Sequence, residues 1–196
     1  IIRSRDLEKG DIGIVGMDVL AAALYMDLQK ELYQVKFYPA DDIVMNLRAA
    51  KSVYEIKKLK AGASIGDEVS ELLHGYLKPG LTELQVYKFI TEELTKRGVT
   101  GAFATCQSGI RSEKPYDLQP ATDKIIEDGD MIHMEINGKL DGYMIDICRS
   151  TVAGKASERQ KEILELVLTM LEKSIEAMKP GITAGSLEEI TGKLAL

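Results

Sequence analysis

Glu135 and Asp146 are the residues of this chain best placed to do chemistry. Both lie in residues 129–150, GDMIHMEINGKLDGYMIDICRS, which read as two β-strands joined by a turn. Successive strand residues point to opposite sides, so Met131, His133 and Glu135 share one face and Ile132, Met134 and Ile136 the other. On the second arm, about 142–152, Met144, Asp146 and Cys148 share a face. A carboxylate buried in a sheet needs a metal ion, a basic partner or a dense set of hydrogen bonds. A turn centred between Leu140 and Asp141 gives opposed residues an index sum of 281, and 135 + 146 meets it. Directly opposed carboxylates repel, so a cation lies between them or one is protonated. Asn137-Gly138 and Asp141-Gly142 are alternative turns, with other registers. The competing reading of Glu135 is an ordinary ion pair with Arg149 or His133.

The elements that must position these residues are legible from periodicity and caps. Residues 12–16 read as a short strand, 19–32 as a helix and 33–38 as a strand, the order of an α/β domain. Gly10, Gly13 and Gly16 do not form GxGxxG and read as turn and packing glycines. Ser52 caps a long helix, about 53–77, with Ile56, Leu59, Ala63, Val69, Leu72 and Tyr76 at helical spacing. Lys57, Lys58 and Lys60 read as its solvated face, and His74 as a surface residue. Thr82-x-x-Gln85 is a capping box for a helix carrying Val86, Phe89, Ile90 and Leu94 and ending near Gly98. Residues 102–109 read as a strand, and 112–124, with Pro115 and Pro120, as a loop. Ser157-x-x-Gln160 opens a helix to about 178, and Ser186-x-x-Glu189 is read as the cap of a last one.

One motif occurs twice. Leu77-Lys-Pro-Gly-Leu-Thr82 returns as Met178-Lys-Pro-Gly-Ile-Thr183, offset by 101 residues. Each copy follows an amphipathic helix and precedes a capped one, which suggests a pseudo-symmetric domain of two halves. The second half would then continue past Leu196, and apolar surface meant to pack against it would be exposed.

Bulk properties narrow the classes. The chain has 196 residues, 45% apolar and 29% charged, with net charge −6, values of an ordinary globular domain. An acidic chain without a basic stripe argues against nucleic-acid binding. No apolar run approaches 18 residues, so no transmembrane helix is expected, and no signal-peptide pattern is present. Cys106 and Cys148, without CxxC spacing, read as reduced thiols of a cytoplasmic protein. The chain starts Ile-Ile-Arg-Ser without an initiator Met, as a fragment or processed product would.

The run G-D, four residues, an acid, then G-Y-x-x-D-x-x-R-S resembles the pita-bread metallohydrolases. That family holds methionine aminopeptidases, Xaa-Pro aminopeptidases, prolidases and creatinases. The eleven-residue spacing from Glu135 to Asp146 matches its two first-half acids, although its usual first acid is Asp. The run LRAAKSVYEIKKLKAG (47–62) is similar to the opening helix of the catalytic domain in the Xaa-Pro aminopeptidase and creatinase branch, and KPGLTELQV (78–86) to its second helix start. The resemblance implies an α+β pita-bread fold, with residues 46–196 as the first half of a pseudo-two-fold catalytic domain. Residues 1–45 would be the tail of an α/β N-terminal domain.

The same resemblance implies two divalent ions (manganese, cobalt, zinc or iron). Glu135 would bind one and Asp146 would bridge both, while one His and two Glu come from the second half. It also implies a peptide or small amide substrate and a homodimer. The family's catalytic His has no counterpart in 114–120, KPYDLQP. Tyr116 and Asp117 are the candidate substitutes there, and His133, on the Glu135 face, is a third candidate. Xaa-Pro peptidase activity is the leading expectation. The alternatives are a creatinase-like amidinohydrolase acting without metal and a non-catalytic binding domain. Residues 1–196 alone are expected to be inactive. Peptidase turnover or tight stoichiometric metal binding by this chain alone would refute that expectation.

Overall fold

The computed structural model describes residues 2, 5, 7–113 and 119–195. Two compact units, Ile1–Ile56 and Lys57–Leu196, divide the chain. The first holds β1 (Gly10–Ile14), α1 (Ala22–Glu31), β2 (Val35–Pro39) and α2 (Asp41–Ala49). β1 and β2 pair in parallel across the α1 crossover, as the strand-helix-strand pattern requires. Helix α2 was not legible in the sequence, because it has no buried residue and leaves Ile43, Met45 and Leu47 exposed.

Apart from the first turn of α3, the second unit holds α3 (Val53–Tyr76), α4 (Glu83–Lys96), β3 (Thr100–Ser108) and a 3-10 turn at Gly109–Glu113. They are followed by β4 (Met131–Leu140), β5 (Tyr143–Val152), α5 (Glu158–Ala177) and α6 (Ala184–Ala195). The strands form one antiparallel sheet in the order β3-β4-β5. One face is apolar. Ile132, Met134, Ile136 and Ile145 pack there with Val69 and Leu73 of α3 and Val86, Ile90 and Leu94 of α4. Each such full burial contributes about 1.5–3 kcal/mol. Tyr76 of α3 stacks on Phe89 of α4, ring centroids 4.1 Å apart.

Helix α3 meets the sheet through a stripe that keeps Val69 and Tyr76 of the periodic set but not its other members. Its buried residues are Gly62, Gly66, Val69 and Leu73, whereas Ile56, Leu59 and Leu72 are exposed and so is Ala63. The reason is close approach. Gly62 and Gly66, one turn apart, lie against Ile145 and Ile147, and a Cβ at Gly66 would overlap the Ile147 side chain. A hydrophobicity pattern misses a contact face made by glycine. Lys58 is likewise not simply solvated, since its ammonium pairs with the Asp141 carboxylate at the hairpin turn.

Both halves of the repeat fold as helix, Lys-Pro-Gly turn, helix. Thr82 and Ser157 form full capping boxes with Gln85 and Gln160. The last helix starts earlier than Ser186 suggested. Thr183 accepts from the Ser186 backbone N–H at 3.2 Å, so the cap is Thr183, at the position matching Thr82 in the repeat. Helix α5 leaves Val167, Leu168, Leu171 and Ile175 more than half exposed, the open apolar stripe expected of a half-domain.

The α3 contact is testable. Gly66→Val should lower stability by about 1–3 kcal/mol through overpacking against the sheet. Gly75→Ala, on the same helix with nothing within 4 Å of the added Cβ, should raise it by up to about 1 kcal/mol. Urea denaturation midpoints of the two variants check both signs.

Candidate functional site

The hairpin turn decides how the two acids meet. Leu140 pairs with Tyr143, so the two-residue turn is Asp141-Gly142. Both residues have positive φ, 51° and 87°, the conformation a type I′ turn demands and Asp-Gly supplies. The resulting index sum is 283, not 281. Glu135 therefore opposes Cys148, and Asp146 opposes Asn137. The two carboxylates are diagonal neighbours on one face, at positions roughly 7–8 Å apart. Their repulsion is weaker than direct opposition implied.

That face is the one opposite the core. His133, Glu135 and Asn137 line it on β4, with Ser150, Cys148 and Asp146 across from them on β5 and Gln107, Thr105 and Phe103 on β3. Asp146 is exposed and Glu135 half-buried, so their burial penalty is small. Glu135 is oriented from its own sheet. Its N–H donates to Thr105 Oγ1 at 3.2 Å, and Asn137 Nδ2 lies 3.5 Å from its Oε2.

The ion-pair reading of Glu135 fails. Arg149 has the opposite strand parity and donates to the Cys148 carbonyl at 2.8 Å and to Asp67 at 3.4 Å. The His133 ring turns to Ser150 Oγ at 3.4 Å and Cys148 Sγ at 3.6 Å. Among the described residues neither Glu135 nor Asp146 has a salt-bridge partner.

Two oxygen donors on one open face fit the carboxylate part of a hard or borderline divalent-ion site. They do not close one, because among the described residues no three His, Cys, Asp or Glu converge. The sequence candidates His133, Glu135 and Asp146 share this face, whereas Tyr116 and Asp117 lie outside the described residues.

Sequence reasoning passed over a second charged centre. Glu83, in the first turn of α4, is completely buried. It accepts from Ser108 N and Oγ, both at 2.9 Å, and from Thr122 N at 3.2 Å and Oγ1 at 2.8 Å. Arg111 Nε adds a charged donor at 3.2 Å. A buried carboxylate without such partners would be strongly destabilising. In the sequence Glu83 looks like an ordinary acid at a helix N-terminus, one residue inside the Thr82 cap. Beside this centre, Lys124 Nζ bridges Ser108 Oγ at 3.0 Å and Asp130 Oδ2 at 2.6 Å. Burial works against ionisation of Asp130, but the Glu127 N–H and the Lys124 ammonium outweigh it and hold its carboxyl below the usual carboxylate range.

The two thiols differ. Burial, reinforced by the negative Glu83, pushes Cys106 up to about 12. Partial burial, then the Glu135 and Asp146 carboxylates, raises Cys148, which still reaches solvent.

Fold and face together define a class: half of an α+β domain built to present carboxylates from a β-hairpin. The sequence profile of metallopeptidase family M24 matches residues 57–195. The chain belongs to that family, and its second unit is the first half of the pita-bread fold. It is 34% identical over 166 residues to a Xaa-Pro dipeptidase of Pyrococcus horikoshii, covering 84% of this chain and 47% of the relative. Among solved structures it resembles an X-Pro aminopeptidase from Thermotoga maritima, with TM-score 0.88, 25% identity and coverage of 98% and 54% of the two chains. The prolidase from Pyrococcus furiosus gives TM-score 0.84 at 29% identity, covering 98% of this chain and 57% of that one. The chain thus spans about half the length of the relatives it matches.

Two outcomes follow from the electrostatics. An aromatic disulfide reagent at neutral pH should modify Cys148 in the folded chain and reach Cys106 only after denaturation, as peptide mapping would show. Asp130, with its depressed folded pKa, contributes stability above its unfolded value that is lost as pH falls through the folded one. The stability gap between wild type and Asp130→Asn should therefore shrink below about pH 4, measured by urea titrations across pH.

Proposed function

We propose that the complete protein is a metal-dependent hydrolase of C–N bonds acting on Xaa-Pro peptides, and that Glu135 and Asp146 supply two of its metal-ligating carboxylates. The observation that carries this reading is the pair itself. Two acids eleven residues apart stand on the open face of the hairpin, free of salt-bridge partners among the described residues, in a chain of the M24 family. Divalent ions held there would supply an activated water and stabilise charge on the attacking and leaving atoms. The chain's own residues hold the donors. Thr105 fixes the Glu135 backbone and Asn137 lies beside its carboxylate, the kind of outer contact that orients a ligand. Glu135 reaches one methylene further from the strand than an Asp would. We place residues 1–45 in the same proposal as the tail of an N-terminal domain, and the assembly as a cytoplasmic homodimer.

A second reading rests on a specific feature of the sequence. The chain has only two histidines, His74 and His133, and none in 114–120. With Glu135 standing where the family's usual first acid is Asp, this leaves room for a creatinase-like amidinohydrolase working without metal.

The full-length protein should hydrolyse Xaa-Pro dipeptides, lose the activity to a chelator and regain it with manganese. Asp146→Asn should reduce kcat/KM by about 100-fold or more, at least the effect of losing an outer-shell contact. Chelator-insensitive turnover of a guanidino substrate would shift the assignment to the second reading. No turnover and no metal uptake would leave a binding domain.

A further inference from the structure

His133 and Cys148 meet on the open face of the hairpin, beside the carboxylate pair but not part of it. They are diagonal neighbours, since His133 opposes Ser150 and Cys148 opposes Glu135. The thiol reaches solvent, and the imidazole next to it is half-buried. Cys148 Sγ lies 3.6 Å from His133 Nδ1 and 3.8 Å from Nε2. Ser150 Oγ stands 3.4 Å from Nδ1 on the other side. A thiol is a weak donor and a weak acceptor, so hydrogen bonding contributes little to this pairing.

The spacing is that of a chelate. A tetrahedral zinc ion binds a thiolate at about 2.3 Å and an imidazole nitrogen at about 2.0–2.1 Å, which sets sulfur and nitrogen about 3.6 Å apart. Cys148 and His133 already hold that separation across two strands whose register the Asp141-Gly142 turn fixes. Rotation of the exposed edge of the ring is enough to aim a nitrogen lone pair at an ion between them. With Nε2 as the ligand, Nδ1–H faces Ser150 Oγ, the kind of outer contact that orients a ligating histidine. Among the described residues no third His, Cys, Asp or Glu converges on the pair, so water completes the coordination. Partial burial, then the Glu135 and Asp146 carboxylates, disfavour a bare thiolate at Cys148. Those same negative charges attract a dication, and on binding the thiol proton passes to solvent.

We propose that His133 and Cys148 form a nitrogen–sulfur subsite for a thiophilic divalent ion, zinc foremost, distinct from the oxygen donors Glu135 and Asp146. The two donor sets select different ions. Sulfur and imidazole nitrogen suit zinc and cobalt, whereas carboxylates suit manganese. The inference goes beyond the hydrolase reading and does not depend on it, because it concerns binding and not turnover.

The test is a cobalt(II) titration of the full-length protein, because a cobalt–thiolate bond gives a near-ultraviolet charge-transfer band that carboxylate ligation does not. The band should grow with added cobalt, and zinc should abolish it by competition. Cys148→Ser should remove it. His133→Gln should raise the cobalt concentration for half amplitude about tenfold or more, at least the cost of losing an outer contact. Asp146→Asn should keep the band, which separates this subsite from the carboxylate pair. Alkylation of the wild type by iodoacetamide, followed by peptide mapping, decides the matter if circular dichroism shows Cys148→Ser or His133→Gln unfolded. Zinc should slow modification of Cys148 about tenfold, since a metal-held thiolate is no longer free to attack, and should do so equally in Asp146→Asn. Absence of the band, its persistence in Cys148→Ser, its loss in Asp146→Asn, or an unchanged midpoint in folded His133→Gln would overturn the proposal. So would alkylation of Cys148 indifferent to zinc.

Discussion

The strict alternation of β4 and β5 is the constraint on which the second unit depends. One parity must be apolar, because α3 and α4 lie on it, and Ile132, Met134, Ile136 and Ile145 supply that face. The other parity is thereby free to carry His133, Glu135, Asn137, Asp146 and Cys148. A one-residue slip would exchange the two sets, putting carboxylates in the core and isoleucines in solvent. The Asp141-Gly142 turn fixes the register against that slip, and the Lys58 pairing anchors the turn to α3. Core stability and site chemistry are thus two consequences of one pairing.

Polar groups are treated differently on the two sides of the sheet. On the core side Glu83 is buried and saturated by five donors, so its charge serves architecture. On the open side Glu135 and Asp146 keep their lone pairs largely available to an outside partner. The contrast follows from desolvation. A charge out of water must be paired by the protein itself, whereas a charge at the surface can wait for a ligand. Strong internal partnership thus marks Glu83 as a fixed point of the fold.

The repeat explains the uneven packing of the chain. Helices α3 and α4 have a sheet to cover, and Val69, Val86, Ile90 and Leu94 are fully buried. Helices α5 and α6 flank the second Lys-Pro-Gly turn with the same local grammar but leave their apolar residues half exposed. The relatives, about twice as long as this chain, have room for a second half to cover them. Local capping energetics are sufficient to start these helices, and burial is what they lack.

The sequence by itself determined the strands, the long helices, two capping boxes and the common face of His133, Glu135 and Asp146. These follow from side-chain periodicity and short-range hydrogen bonds, which are properties of neighbours along the chain. It left the turn open among three registers, because two of them, at Asn137-Gly138 and Asp141-Gly142, satisfy local turn chemistry equally and only the pairing of whole strands selects the second. It placed Val69 and Tyr76 on the contact face of α3 but missed Gly62 and Gly66, which carry no hydrophobic signal and reveal themselves only against Ile145 and Ile147. It placed the last cap at Ser186, where the repeat itself pointed to Thr183. Glu83 was invisible as a hub because its partners, Ser108, Arg111 and Thr122, are gathered from up to 39 residues away. Apart from that local cap, tertiary structure alone decided these points, because each rests on groups that meet only when the chain has folded.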